Sequence, residues 1–373
     1  MSEHDISERI DESVDLLLEE SSLRGAGIDV RYPGRRFFGY FCSYWPEELV
    51  LAAGMEPLRI LPPPGNATPA ELPAFSCSLV RGCLAMALQG SLKGLAGVGF
   101  AHTCDAMQCL GGIWEEIMGS DRTVTVVPPV MLNASGSHKY FRAEFEKLLA
   151  KLGRISGSNP GPEEINRAIS LCDRIRELVT RLDELRPGLP SGLVSAVMRA
   201  GQLMPRDEYA TALESALGVL GKMAGEPAGR QRILVTGAIM ENDSLFNMIE
   251  DLGGRVVADD TCTGYRHYTG QSGRDGGDPV DALVRRYTGI APCPCRNRGL
   301  EERTDYLESL AGKRKARGAV LVIRKYCDPH AWDAVALAER LRSSGLKVLV
   351  LELEGAEVSG QERTRLQAFL ESI

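Results

Sequence analysis

The sequence predicts an α/β protein of two parallel-sheet domains joined by a helical connector, with a reactive site in the cleft between the domains. Three observations carry that prediction. Short apolar runs such as residues 95–101 (LAGVGFA), 232–236 (RILVT), 318–325 (GAVLVIRK) and 347–353 (KVLVLEL) alternate with helix-periodic segments, the pattern of strands buried on both faces of a parallel sheet. At 373 residues, 44% hydrophobic and 25% charged, the chain is long enough to bury two sizeable cores. Helical periodicity fills the middle of the chain, so residues 156–230 are read as the connector between an N-terminal domain at 1–155 and a C-terminal domain at 231–373.

Taken in order, residues 6–20 form an amphipathic helix expected to dock on the first domain, and residues 37–41 (FFGYF) a strand. Cys42 to Pro57 is a turn and helix, with Pro46 near its start, Glu47 and Glu48 in the first turn, and Gly54 closing it. A strand at 58–61 precedes a Pro-rich loop, and Cys77 stands at the entry of a helix over 78–89. The strand at 95–101 ends in His102-Thr103-Cys104-Asp105, followed by a helix at 106–118 and a strand at 123–127. Helices are predicted at 139–152, 163–185, 191–204 and 206–223. The second unit runs through a strand at 232–236, a helix at 243–252 and a strand at 254–258 that leads to Asp259-Asp260-Thr261-Cys262. Residues 270–278 (GQSGRDGGD) read as a flexible lid or surface loop, because their glycines do not follow a strand as a phosphate loop requires. Cys293 and Cys295 lie in an irregular segment; the strand at 318–325 then leads to Cys327, and a helix at 332–343, the strand at 347–353 and a helix at 359–372 finish the chain.

The net charge of −7, with mixed signs and no basic stripe interleaved with aromatics, argues against a nucleic-acid surface. The acidic start has no signal-peptide pattern and no apolar run reaches membrane-spanning length, so the expected location is the cytoplasm, without a membrane partner. Ten cysteines in a reducing compartment point to packed thiols, a metal site or reactive thiols rather than disulfides. Cys172, inside a helical run, is read as packing.

Cys104 and Cys327 share one local setting: strand, then Cys-Asp, then helix. Two such strand ends bring thiols to the edge where α/β sheets bind ligands. Structural zinc fits poorly, because paired Cys-x2-Cys knuckles are absent and Cys293 and Cys295 are separated by a single residue. A Cys/His nucleophile at His102-Thr103-Cys104 lacks an oriented base in the sequence. An iron–sulfur cluster held by thiolates from separate loops fits better, and three thiolates leave one iron open to a substrate atom.

The motifs Gly39-Tyr40-Phe41-Cys42-Ser43-Tyr44-Trp45-Pro46-Glu47-Glu48-Leu49, Cys77-Ser78 before a helix with Arg81, His102-Thr103-Cys104-Asp105, Asp259-Asp260-Thr261-Cys262-Thr263-Gly264, Pro292-Cys293-Pro294 and Tyr326-Cys327-Asp328-Pro329 resemble the 2-hydroxyacyl-CoA dehydratase and benzoyl-CoA reductase family over residues 35–345. The HTCDAMQ turn is similar to that of the smaller benzoyl-CoA reductase-type subunit. The resemblance implies flavodoxin-like domains, a [4Fe-4S] cluster on Cys77, Cys104 and Cys327, a homologous second subunit, an acyl-CoA substrate and a separate ATP-hydrolysing iron–sulfur activator. It implies low-potential electron transfer to the thioester, giving a ketyl-type radical that loses a β-hydroxyl or leads to ring reduction, and hence oxygen sensitivity.

A sister branch of the family holds a double-cubane [8Fe-9S] cluster in a homodimeric reductase of small molecules. Cys83, Cys109, Cys262, Cys293 and Cys295 are the candidate ligands on that alternative; otherwise they are loop or packed cysteines. A second alternative is a non-catalytic electron-transfer iron–sulfur protein. His102 and Glu47 are the candidate catalytic residues, weighed against a turn histidine satisfied by backbone and a first-turn helix acid. Arg59, Arg81 and Arg296 are candidates for CoA phosphates, and Trp45 and Trp332 for shielding the cluster.

Overall fold

The structure is a computed structural model and describes residues 11–25, 27–65, 67–225, 229–273, 277–295 and 299–373. Two four-stranded sheets, each wholly parallel, form its frame. The first comprises β1 (Phe37–Tyr40), β2 (Glu56–Arg59), β3 (Gly97–Ala101) and β4 (Thr123–Val126) in the order β2-β1-β3-β4. The second comprises β5 (Gln231–Gly237), β6 (Gly254–Asp260), β7 (Gly318–Arg324) and β8 (Lys347–Leu353) in the matching order β6-β5-β7-β8. In each sheet the chain therefore reverses direction beside its first strand, between β1 and β3 and between β5 and β7. Crevices at the carboxyl ends of such neighbouring strands are where parallel sheets take ligands.

Side-chain alternation distributes β1 between two cores. Phe37 faces the core shared with the helices Ser78–Leu88, Asp105–Met118, Pro162–Leu185 and Arg206–Met223, whereas Phe38 and Tyr40 face the opposite one. Val14 and Leu17 of the leading helix Glu12–Glu20, capped by Asp11, join the first of these cores, which the connector helices also line. The part of that helix expected before residue 11 lies outside the described residues. Trp45 is wholly buried in the other core, stacking on Phe38 at 5.7 Å and lying over Gly99, where a Cβ would stand 2.2 Å from its ring.

Most strands match their predicted spans to within two residues, and the differences have physical causes. The second strand was expected after Pro57, but β2 pairs from Glu56 onward. It is an edge strand, where a proline without an N–H is tolerated. Two helices, Pro279–Gly289 and Leu300–Lys313, were not anticipated; the first starts on an Asp278 cap with proline at its first position. The helix Pro279–Gly289 crosses back: Leu283, Val284 and Tyr287 pack with Phe141 and Phe145 in the core of the first sheet. Within the expected loop at 270–278, residues 274–276 lie outside the described residues. Among the described residues, no helix is long and apolar enough to cross a membrane.

A thiol-lined candidate site between the sheets

The carboxyl ends of the strands deliver four of the ten cysteines. Cys42 follows β1, Cys104 follows β3, Cys262 follows β6 and Cys327 follows β7. Cys77, Cys104 and Cys327 share a further property: each is the N-cap residue of a helix, Ser78–Leu88, Asp105–Met118 and Asp328–Ser343 respectively. Three helix N-termini, with their free N–H groups and positive dipole ends, are thus attached directly to three thiols. Tyr326, next to Cys327, holds a left-handed backbone with φ of 65°, a conformation that places the thiol at the turn and strains a bulky residue by about 1 kcal/mol.

The thiols are near enough to one another to oppose each other's ionisation. Burial pushes Cys104 and Cys327 up to about 12, and both Cys77 and Cys104 add to the rise at Cys327. Cys77 is also raised by burial, with the N–H groups of Val80 and Leu79 and the guanidinium of Arg324 acting against the rise. The second group surrounds Cys262, which burial raises to about 11 against the pull of Arg266; Cys293 and Cys42 add to the rise. Cys293 is lowered to about 6 by a hydrogen bond from Cys295, against burial, and Arg266 reinforces the effect; Cys295 is driven well above the usual thiol range by the same contact. Cys42 and Cys104 also act on Cys295, so the two groups adjoin. Thr103 Oγ1 donates to Cys42 Sγ at 3.5 Å.

These donors suit a polynuclear thiolate-bound cluster. Soft sulfur ligands from separate segments, positive helix ends and the buried Arg324 beside Cys77 and Cys327 all favour an anionic iron–sulfur group. Because the buried thiols resist ionisation on their own, loading such a group releases protons. Among the described residues, no three His, Cys, Asp or Glu side chains are grouped so as to hold a single metal ion. A cluster, in which each iron takes its own cysteine, does not require that tight grouping.

The remaining cysteines have different surroundings. Cys83 is fully buried, with Sγ 3.9 Å from the Ile60 carbonyl, although it lies near enough to Cys77 to feel its charge. Cys109 is exposed on its helix, and Cys172 is buried on the connector helix Pro162–Leu185. Cys42 was not singled out as a thiol by sequence, yet its signal was there: it follows β1 as Cys104 follows β3.

His102 is half-buried at the end of β3, and its backbone N–H donates to the Val126 carbonyl at 3.0 Å. Glu47 lies in a buried network. Arg206 grips both its carboxylate oxygens at 3.0 Å, His267 Nε2 stands 3.1 Å from Oε1, and the Tyr40 hydroxyl also donates to it. Burial opposes its ionisation, but Arg206 and His267 outweigh burial and hold the carboxyl well below the usual range. Glu47 is therefore a fixed anion at neutral pH, a hydrogen-bond acceptor and a weak base. Its neighbour Glu48, fully buried, is held by Arg176 and by the Tyr287 hydroxyl at 2.9 Å.

Arg59 is occupied internally: its Nη1 donates to Gln202 Oε1 and to the Cys262 carbonyl, both at 2.7 Å, and it is 2% exposed. Arg81 is buried beside Cys77, and Arg296 lies outside the described residues. Trp45 belongs to the core, whereas Trp332 is 83% exposed on the helix that Cys327 begins.

Residues 42–373 match the family described as 2-hydroxyglutaryl-CoA dehydratase, D-component. The chain is 24% identical to the (R)-phenyllactyl-CoA dehydratase beta subunit of Clostridium sporogenes, over 91% of this chain and 92% of that one. It is 24% identical to a benzoyl-CoA reductase subunit of Thauera aromatica, over 88% of each chain. It is also 24% identical to the beta subunit of (R)-2-hydroxyglutaryl-CoA dehydratase of Acidaminococcus fermentans, over 91% of this chain and 93% of the other.

Proposed function

The chain belongs to the 2-hydroxyglutaryl-CoA dehydratase D-component family and is an enzyme subunit, and on that premise we propose that it is the iron–sulfur subunit of an ATP-activated, low-potential acyl-CoA dehydratase or reductase. The observation that supports this reading is that Cys77, Cys104 and Cys327 each cap the N-terminus of a helix, Cys104 and Cys327 after strands of the two different sheets, and that Cys77 and Cys104 are near enough to Cys327 to oppose its ionisation. Those three residues are the proposed ligands of a [4Fe-4S] cluster. When bound, the cluster supplies one electron at low potential to the thioester of an acyl-CoA, allowing 2-hydroxyacyl-CoA dehydration or benzoyl-CoA-type ring reduction.

The chain's own residues do the supporting work. Helix dipoles stabilise the negative ligand set, with Arg324, itself ion-paired to Glu241, beside Cys77 and Cys327; Cys77 is buried, and Cys104 and Cys327 are half-buried. His102, beside Cys104, is the proposed proton-handling group, and Glu47 acts through the ion-paired network beneath the site. The relatives' names as subunits of dehydratases and of a reductase support a homologous second subunit as partner. The proposed electron donor is a separate ATP-hydrolysing iron–sulfur activator, and the proposed setting is the anaerobic cytoplasm.

One observation favours a second reading. Cys42, Cys262, Cys293 and Cys295 adjoin the first three thiols, more sulfur than one three-thiolate cluster uses, which supports a double-cubane [8Fe-9S] cluster. Iron and acid-labile sulfide per chain, with EPR after reduction of protein purified without oxygen, separate the readings. About four irons support the single cluster and about eight the double cubane. Cys77→Ser, Cys104→Ser and Cys327→Ser should each lose iron under either. A wild-type protein without iron overturns both.

A further inference from the structure

Arg266 is 2% exposed, and each of its five N–H groups has a protein acceptor. Nε donates to Asp260 Oδ1 at 2.9 Å, and Nη2 to Asp260 Oδ2 at 2.6 Å and to the Asp260 carbonyl. Nη1 donates to the Gly237 carbonyl at 3.2 Å and to Cys262 Sγ at 3.4 Å. The acceptors are themselves fixed. Thr236 Oγ1 donates to Asp260 Oδ2 at 2.6 Å, and Gly237 has φ of 136° with no room for a side chain, since a Cβ would stand 2.0 Å from the Val322 carbonyl. A guanidinium held on four sides by backbone and carboxylate has one N–H left, and it is aimed at a sulfur of the site.

We propose that Arg266 is a positioning residue of the redox site, which points one N–H at Cys262 Sγ and through that contact raises the reduction potential of the iron–sulfur centre. The inference rests on the second reading above, the double-cubane cluster, in which Cys262 is one of the cluster thiols. Reduction adds negative charge, and an N–H donor with its positive charge beside a sulfur stabilises the reduced form more than the oxidised one. Asp260 neutralises the far edge of the guanidinium but leaves Nη1 facing the sulfur, so the local dipole keeps its direction toward the site. The Arg266 charge also acts on Cys293, which places its influence across the second thiol group.

The test is an EPR-monitored redox titration of full-length, anaerobically purified wild type, Arg266→Gln and Arg266→Lys. EPR reads only the cluster-bearing fraction, so differences in loading do not obscure the midpoint. The expected result is a more negative midpoint in Arg266→Gln and a smaller shift of the same sign in Arg266→Lys, which keeps the charge but not the fork. If the glutamine variant does not fold, the lysine variant alone decides. Wild-type midpoints in the folded variants overturn the proposal and leave Arg266 as a brace of the loop, a role that moves thermal stability and not potential. Wild type with no iron or with about four irons removes the premise and is seen before any variant is made; wild type with about eight irons and unshifted variants overturns only the assignment to Arg266.

Discussion

His267→Gln should flatten the acid side of the stability profile. In the native protein the imidazole is 4% exposed, with Nε2 3.1 Å from Glu47 Oε1, Nδ1 3.3 Å from Ser43 Oγ, and Tyr40 and Tyr268 against its ring. Burial lowers it to about 4; Glu47 works against that fall, and Arg59 and Arg286 add to it. In the unfolded chain the same ring takes up its proton near pH 6.5. Between those values the unfolded state binds more protons than the folded one, so stability rises with pH and is lost as the solution is acidified. At about 1.4 kcal/mol per pH unit, the full loss is about 3 kcal/mol, of which about 2 kcal/mol falls between about pH 7 and pH 5. Glutamine keeps an N–H for Glu47 but does not titrate. Urea unfolding of wild type and variant across that range measures the difference in slope directly. Equal slopes would mean that the ring takes up its proton as readily in the folded protein as in the unfolded chain, and would refute the reasoning.

Three further substitutions probe other parts of the structure. Gly237→Ala should cost about 3 kcal/mol or more, because it meets both the positive φ and the Val322 carbonyl, and should show as a lower unfolding midpoint or insoluble expression. Glu48→Gln leaves Arg286 buried without its carboxylate and Arg176 with Asp173 alone, and should cost about 3 kcal/mol in urea unfolding. Cys109→Ala and Cys83→Ala should keep wild-type iron content, with a stability loss of about 1 kcal/mol confined to the buried Cys83; iron loss in either would make that thiol a ligand.

The parts legible in sequence were those whose signal is local. Largely apolar strands such as β8 were found to the residue, and the N-cap settings of Cys77, Cys104 and Cys327 follow from strand, turn and helix signals that lie next to them. What stayed hidden depends on partners that only the fold brings close, most of them far along the chain, though Asp260 lies six residues before Arg266. Arg59 read as a phosphate-binding candidate, and Arg206 and Arg266 carried no signal of their own. Each is buried against groups that no local pattern announces: Gln202, Glu47 and Asp260. Glu47 likewise looked like a first-turn helix acid, and only the approach of Arg206 and His267 makes it a buried anion. Cys42 was legible and overlooked, because its turn was read for its helix start rather than its sulfur.

The return of the helix Pro279–Gly289 to the first sheet also matters during synthesis. Phe141 and Phe145 leave the ribosome long before Leu283 and Tyr287, the residues that cover them. At roughly 5 to 20 residues per second, the nascent first unit waits about 7 to 30 s with that apolar face open. Glu48 waits longer still, about 12 to 50 s at the same rate, for Arg286 and the Tyr287 hydroxyl. An arrest or truncation before residue 279 would release a sticky intermediate rather than a finished half, so the two sheets mature as one unit although they lie apart in the chain.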